Sequence, residues 1–240
     1  MSSDTLGVKG NQGLNIVVKI GGHLLSTKDG INLDLFKNYS RVFSEIYDGG
    51  RWCIVVGGGE EARRYVKAAR ELGINESICD MIAVKVTRIN ALLLASLLGE
   101  KAVQRIPESV EELIQYSSRG RMVVMGGLQP GQSTIAVSAL AAEAINADKL
   151  IVATDVDGIY TDDPKLNPDA KLLEEVTLSQ LMKIVERISH RAGEYKLMDM
   201  VAYKILSRSG VEVIYLNGMD PENVRKAIMG EKIGTLIKRE

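Results

Sequence analysis

An α/β fold built on a parallel sheet follows from two observations. Short apolar runs rich in β-branched residues alternate with segments of helical periodicity, and several of those runs end in glycine just before a helical segment. The alternation is irregular, because two helical segments follow one another in the region 60–98. That counts against an eight-fold β/α barrel, which needs a strand about every 30 residues.

Taken in order, Leu14–Ile20 is a buried strand closed by Gly21 and Gly22. Asn32 is an N-cap candidate for a helix to Tyr47, with Leu33, Phe36, Tyr39, Val42, Phe43 and Ile46 at helical spacing. Trp52–Val56 is the second strand and stops at Gly57-Gly58-Gly59. A helix from about Glu60 to Leu72 ends at Gly73, and another runs from Glu76 to Leu98 with no breaker before Gly99. A short helix near Ser109–Ser117 and a strand at Met122–Met125 precede the loop 126–132, which opens a small-residue helix from Ser133 to Asn146.

Beyond it, Lys149–Thr154 is a buried strand, 155–160 reads as strand–turn–strand, and 162–169 is a polar loop. Helices near Ser179–Arg187, Met198–Ser209 and Pro221–Met229 enclose a strand at Glu212–Leu216, and Thr235–Lys238 is a terminal strand. Residues 1–13 read as a flexible arm ahead of a single domain over 14–240. A composition change near 148 divides it into halves of about 14–147 and 148–240.

With 240 residues, 45% hydrophobic and 25% charged, the chain has the composition of a globular domain. A net charge of −1 lacks the basic excess that marks nucleic-acid binding or attachment to an anionic membrane. No apolar run is read as reaching the ~18 residues of a membrane helix, and the N-terminus has no secretory h-region, so a cytoplasmic setting is expected. Cys53 and Cys79 read as reduced, buried thiols.

Three glycine clusters, at 21–22, 57–59 and 126–127 with 131, each fall between a strand's C-terminal end and a helix. In open parallel sheets that edge binds ligands: glycine lets the backbone approach a phosphate, and the helix N-terminus offers free N–H groups. A lone turn of this type is common for backbone reasons, but three on one edge point to an anion site. Gly57-x-Gly59-x-x-Ala62 also satisfies the dinucleotide pattern, whose acidic partner should end a second strand; Asp80 has the spacing but starts a long helical segment. No Walker A sequence, nucleophile elbow or metal-ligand spacing around His23 and His190 is present.

Lys19 interrupts an apolar strand, so its ammonium either leaves at the strand end or meets an anion. Arg63 and Arg64 follow the triple glycine by a helical turn, within reach of a phosphate. Lys204, within a helical segment, reads on its own as a solvated lysine.

Together, Val17-Val18-Lys19-Ile20-Gly21-Gly22, Val55-Val56-Gly57-Gly58-Gly59, the stretch from Thr154 to Pro164, and Met229-Gly230-Glu231-Lys232-Ile233-Gly234-Thr235 resemble the amino acid kinase family over about residues 14–238. The narrower markers Ala62-Arg63-Arg64-Tyr65, Thr87-Arg88-x-Asn90-Ala91 and Gly126-Gly127-x-x-Pro130-Gly131-x-Ser133-Thr134 resemble its archaeal uridylate (UMP) kinase branch. Isoprenoid-phosphate kinases carry a histidine after the triple glycine, where this chain has Glu60-Glu61-Ala62-Arg63.

The resemblance implies a three-layer α/β/α sandwich with a mainly parallel open sheet of about eight strands. It implies phosphoryl transfer from ATP with Mg²⁺ to UMP, a step of pyrimidine nucleotide biosynthesis, in a hexamer built as a trimer of dimers. By motif position, Lys19 would contact the transferring group, with Gly21, Gly22, Gly58 and Arg63 on the ATP phosphates and Thr154, Tyr160 and Asp163 along the ATP base and ribose. Gly57, Asp80 and the loop Leu128, Gln129, Pro130, Gly131, Gln132, Ser133, Thr134 would hold UMP. Lys204 matches a lysine that several relatives place on the ATP phosphates. Asp155 stands where the archaeal branch usually has Asn; the amino-acid-phosphorylating relatives keep Asp there to hold two catalytic lysines. Two other readings stay open at this point, a family kinase for another small phosphate or carboxylate and a non-catalytic oxoanion- or nucleotide-binding protein.

Overall fold

A computed structural model describes residues 13–118, 120–189 and 197–238. The expected arm at 1–13, apart from Gly13, and His190 lie outside the described residues.

The central sheet, expected with about eight strands, has seven, in the order β5-β4-β1-β6-β10-β11-β9. They are β1 (Ile16–Ile20), β4 (Trp52–Val56), β5 (Val123–Met125), β6 (Lys149–Thr154), β9 (Glu175–Thr177), β10 (Glu212–Asn217) and β11 (Thr235–Lys238). β5, β4, β1, β6 and β10 run parallel; β11 is antiparallel to β10 and parallel to β9. Two small hairpin sheets pair β2 (Ser26–Thr27) with β3 (Gly30–Ile31) and β7 (Ile159–Tyr160) with β8 (Leu172–Leu173). The strands preceding residue 148 fill one side of the sheet, β5-β4-β1, and those following it fill the other. β1 and β6 meet at the centre, which makes the end of β1 the point where strand order reverses.

The helices are α1 (Leu33–Ile46), α2 (Gly59–Glu71), α3 (Glu76–Leu98), α4 (Val110–Tyr116), α5 (Thr134–Ala144), α6 (Leu178–Ser189), α7 (Met200–Ser209) and α8 (Pro221–Ile228). Side-chain oxygens accept the early N–H groups of six of them: Asn32 for α1, Asn75 for α3, Ser109 for α4, Ser133 for α5, Asp199 for α7 and Asp220 for α8. Asn32 is the cap the spacing predicted.

Strand alternation sends neighbours to opposite layers. Ile16, Val18 and Ile20 join the core beneath α1, α3 and α8, while Val17, with Cys53 and Val55, joins the core beneath α4 to α7. Lys19 shares the second face. Cys53 and Cys79 are free and buried, as expected, and burial pushes the Cys53 thiol far above its ordinary pKa.

One correction concerns α3. With its extension to Lys101 it is long and apolar enough to cross a bilayer by length and composition, although charges interrupt every apolar run within it. In the fold it packs against α2, α1, β4 and β5.

Candidate active site

The site forms at the C-terminal ends of β1, β4 and β6. In register, Lys19 pairs with Val152 of β6, and Val152 pairs with Tyr215 of β10. This row contributes to a cavity of about 640 Å³ that is also lined by His23, Arg63, Ser133, Thr134, Thr154, Asp155, Asp163, Lys165, Met198 and Asp199. A second cavity of about 410 Å³ is lined by Gly58, Gly59, Asp80, Gln129, Pro130, Gly131 and Gln132, together with the same Ser133 and Thr134. The start of α5 therefore walls both.

Lys19 stands under the helix layer where the N-termini of α5 and α7 leave the sheet uncovered. Burial pulls its ammonium down to about 8, offset in part by the negative charge of Asp155. The Asp155 carboxyl is held well below the usual carboxylate range, by His23 first and by Lys165 next, against the opposing effect of burial. His23 Nε2 lies 3.1 Å from Asp155 Oδ1, Thr154 Oγ1 donates to the same oxygen at 3.3 Å, and Lys165 Nζ contacts Oδ2.

The glycine turns pack backbone to backbone. A Cβ on Gly22 would meet the Gly59 nitrogen at 2.2 Å, and one on Gly57 would meet the Gly22 nitrogen at 2.4 Å. Side chains are excluded here by the neighbouring turn itself. α3 braces the assembly. Asn90 Nδ2 donates to the carbonyls of Gly57 (2.9 Å) and Gly58 (3.3 Å), and Thr87 Oγ1 accepts the Gly127 N–H at 2.6 Å. Arg88 donates to the carbonyls of Gly127 (3.0 Å) and Leu128 (2.9 Å). The markers Arg88 and Asn90 thus act on the loops rather than in the cavities, whereas Thr87 both holds the Gly127 turn and lines the second cavity.

At the second cavity, the Gly131 N–H donates to Asp80 Oδ2 at 3.0 Å, which brings the carboxylate on α3 to the 129–134 loop. Ser133 caps α5 and its Oγ contacts Asp199, the cap of α7, so two helix N-termini are joined between the cavities. At the first cavity Asp163 is buried and its Oδ1 accepts the Lys165 N–H at 2.9 Å. Arg63 lines the cavity and sits 3.3 Å from Glu60, whereas Arg64 turns away to the Lys28 carbonyl at 3.1 Å.

Not every expected residue lines a cavity. Gly21, Gly22 and Gly57 shape the turns behind it; Leu128 packs into the core beneath α5; Tyr160 bonds Asp157 Oδ2 at 3.3 Å, outside the lining. Lys204 is exposed on α7 and lines neither cavity. Residues that line the first cavity without having been singled out from the sequence include His23, Lys165, Met198, Asp199 and Tyr215. Of these, Lys165 alone offered a clue in the sequence, as a lysine just past the stretch from Thr154 to Pro164.

A strand-order reversal, glycine turns against a half-buried lysine, and two adjoining cavities that each carry charged and polar side chains describe a group-transfer enzyme of phosphate chemistry. The model of the amino acid kinase family matches residues 15–217, and the chain belongs to that family. More narrowly, it is similar to the uridylate kinases of Methanobrevibacter smithii and Hyperthermus butylicus. It is 44% identical to the first over 224 residues, covering 93% of this chain and 99% of the relative. The second match is 44% identical over 223 residues, with 92% and 97% covered. Among solved structures it is similar to the uridylate kinase from Archaeoglobus fulgidus, with TM-score 0.83, 38% identity, and 94% and 100% of the two chains covered. The UMP kinase from Bacillus anthracis gives TM-score 0.78 at 25% identity, with 95% and 97% covered.

Proposed function

We propose that this chain is a nucleoside monophosphate kinase that transfers the γ-phosphoryl group of MgATP to UMP, giving UDP and ADP. The observation that carries this reading is the pair of cavities sharing Ser133 and Thr134, one with Lys19 at its floor and the other with Asp80 at its wall. Two polyanions placed in them meet at the N-terminus of α5, where free N–H groups and the helix dipole favour negative charge. The relatives' shared name, over more than nine-tenths of this chain, supports the choice of acceptor.

In this reading an oxygen of the UMP phosphate bonds to Pγ while the bond from Pγ to the bridging oxygen breaks, and the electron pair leaves on ADP. With a second pKa of about 6, the acceptor phosphate is largely ionised at neutral pH and needs no general base. Catalysis then rests on alignment and on cations facing the equatorial oxygens. Lys19 supplies one, Arg63 faces the same cavity, and Thr154 and Asp163 flank the donor. Asp80 and residues 129–134 hold UMP, with Asp80 on its ribose. Tyr160 extends the donor side, and Gly21, Gly22, Gly57 and Gly58 set the turns that bring backbone near phosphate. Mg²⁺ arrives on the triphosphate as part of the substrate; among the described residues no three His, Cys, Asp or Glu side chains gather to cage an ion, so phosphate oxygens would be its principal ligands.

A homo-oligomer and a cytoplasmic setting complete the proposal. The apolar face of α1 is spent on the core, with Leu33 its one exposed large apolar residue, whereas α3 exposes Ile78, Met81, Ile89, Leu92 and Leu97. α3 is thus the better contact surface between copies.

The test is a coupled ADP-release assay with UMP, CMP, isopentenyl phosphate and acidic amino acids as acceptors. UMP is expected to give the highest kcat/KM by about 10²-fold or more, the discrimination that a site hydrogen-bonding its substrate can reach. A higher value for any other acceptor overturns the assignment, and tight nucleotide binding without turnover favours a binding protein.

A further inference from the structure

Asp155 collects two lysines that come from different parts of the chain. Lys19, on β1, has it as its anionic neighbour, and Lys165, from the loop after β7, places Nζ on its Oδ2. Both lysines line the donor cavity.

The stem and the head of Lys165 are held very differently. Its backbone N–H donates to Asp163 Oδ1 at 2.9 Å, and the next two N–H groups, of Leu166 and Asn167, donate to the Asp163 carbonyl at 3.1 and 2.8 Å. Asn167 Nδ2 also donates to Asp162 Oδ2 at 3.1 Å, so the turn is fixed from several sides. The head group, by contrast, is in an ion pair with solvent at hand: the Lys165 side chain is 61% exposed and that of Asp155 is 30% exposed. Pairs of that exposure are weak, and a triphosphate carries more charge than the carboxylate it would replace.

We infer that Lys165 is the second catalytic cation of the donor cavity, exchanging Asp155 for phosphate oxygens of the bound triphosphate and sharing the transferring group with Lys19. This rests on the kinase reading and adds a residue to it. Charge in phosphoryl transfer spreads over three equatorial oxygens and onto the leaving group, so one ammonium cannot cover it. Lys165 keeps its proton throughout; it balances the charge that accumulates on ADP as the Pγ–O bond breaks. Lys204, exposed on α7, lines neither cavity.

The experiment compares Lys165→Ala, Lys165→Arg and Lys204→Ala with the intact chain, and uses Lys67→Ala, on an exposed stretch of α2, as a control for loss of surface charge. Lys165→Ala is expected to lower kcat about 10²-fold, to raise the KM for ATP up to about 10-fold and to leave the KM for UMP within about 3-fold, with an unchanged melting temperature. Lys165→Arg, which keeps the charge, recovers at least about 10-fold of the lost kcat.

A kcat for Lys165→Ala within about 3-fold of wild type overturns the assignment, as does a loss at Lys204→Ala equal to that at Lys165→Ala. If the intact chain phosphorylates a different acceptor and not UMP, the UMP reading fails, and the same variants measured on that acceptor still decide Lys165. If it phosphorylates none, calorimetric titration with a non-hydrolysable ATP analogue decides it: about 10-fold weaker binding by Lys165→Ala supports the contact, and equal binding removes it.

Discussion

The Asn90 side-chain amide donates to the Gly57 carbonyl at 2.9 Å from the interior of a helix, and it is 4% exposed while doing so. A buried asparagine in mid-helix has few reasons to persist except its partner. Here the partner is the turn that ends β4, and a second bond reaches Gly58. Asn90→Leu leaves both carbonyls without this donor. Removing one side of a buried hydrogen bond costs about 1–3 kcal/mol, so chemical denaturation should show a loss in that range. Both substrate KM values should rise, because the turn lies between the cavities. An unchanged midpoint and unchanged KM values would mean that the turn holds without α3.

Lys19→Ala removes the ammonium at the cavity floor. Its contact with the transferring group strengthens as charge develops, so kcat is expected to fall by at least about 10²-fold with the UMP KM nearly unchanged. Steady-state kinetics in both substrates separates these terms. Parallel loss of UMP binding and turnover would instead place Lys19 against the acceptor in the ground state.

The same residue sets a pH limb. Burial brings Lys19 down to about 8, so in the free enzyme the ammonium is lost as pH rises through that value, and kcat/KM for MgATP should decline above it. Its contribution to stability has the opposite sense. The folded pKa lies below the ordinary 10.5, so the unfolded chain binds more protons between about 8 and 10.5, and this term favours folding increasingly across that window. Asp155 raises the Lys19 value, and Asp155→Asn should therefore move the kinetic limb to lower pH. A limb that stays in place would separate the two charges.

Asp80→Asn tests the acceptor wall. The carboxylate accepts the Gly131 N–H at 3.0 Å and lines the second cavity. The expected result is a UMP KM raised about 10-fold or more, from loss of a charge-assisted hydrogen bond, with the ATP KM little changed. If the UMP KM does not move, Asp80 holds the loop and not the ligand.

Much of this architecture was legible in the residues. Asn32, the glycine stop at 73 and the unbroken run from Glu76 to Leu98 located their helices because caps and periodicity are local properties. Lys19 was legible for a different reason: a charge inside an apolar strand has to be answered by something. The hidden parts depend on distant chain segments. β9 is three residues, Glu-Val-Thr, too short to show a period, and β11 alone gives it a partner in the central sheet. Lys165 belongs to a polar loop with no periodic pattern, and its role appears when the loop folds back over ten residues to Asp155. Lys204 has an ordinary helical setting, and the helix turns it to solvent. His23, set aside for lack of metal-ligand spacing, faces a carboxylate 132 positions away in the chain.

Ser133 and Thr134 belong to both cavities, whereas Asp80 and residues 129–132 belong to one. A lineage that changed those two shared positions would disturb both nucleotides together, and selection against the loss would be correspondingly strict. Drift toward a new acceptor has a freer route through the unshared wall, so the donor half can be inherited intact while the clientele of the enzyme diversifies.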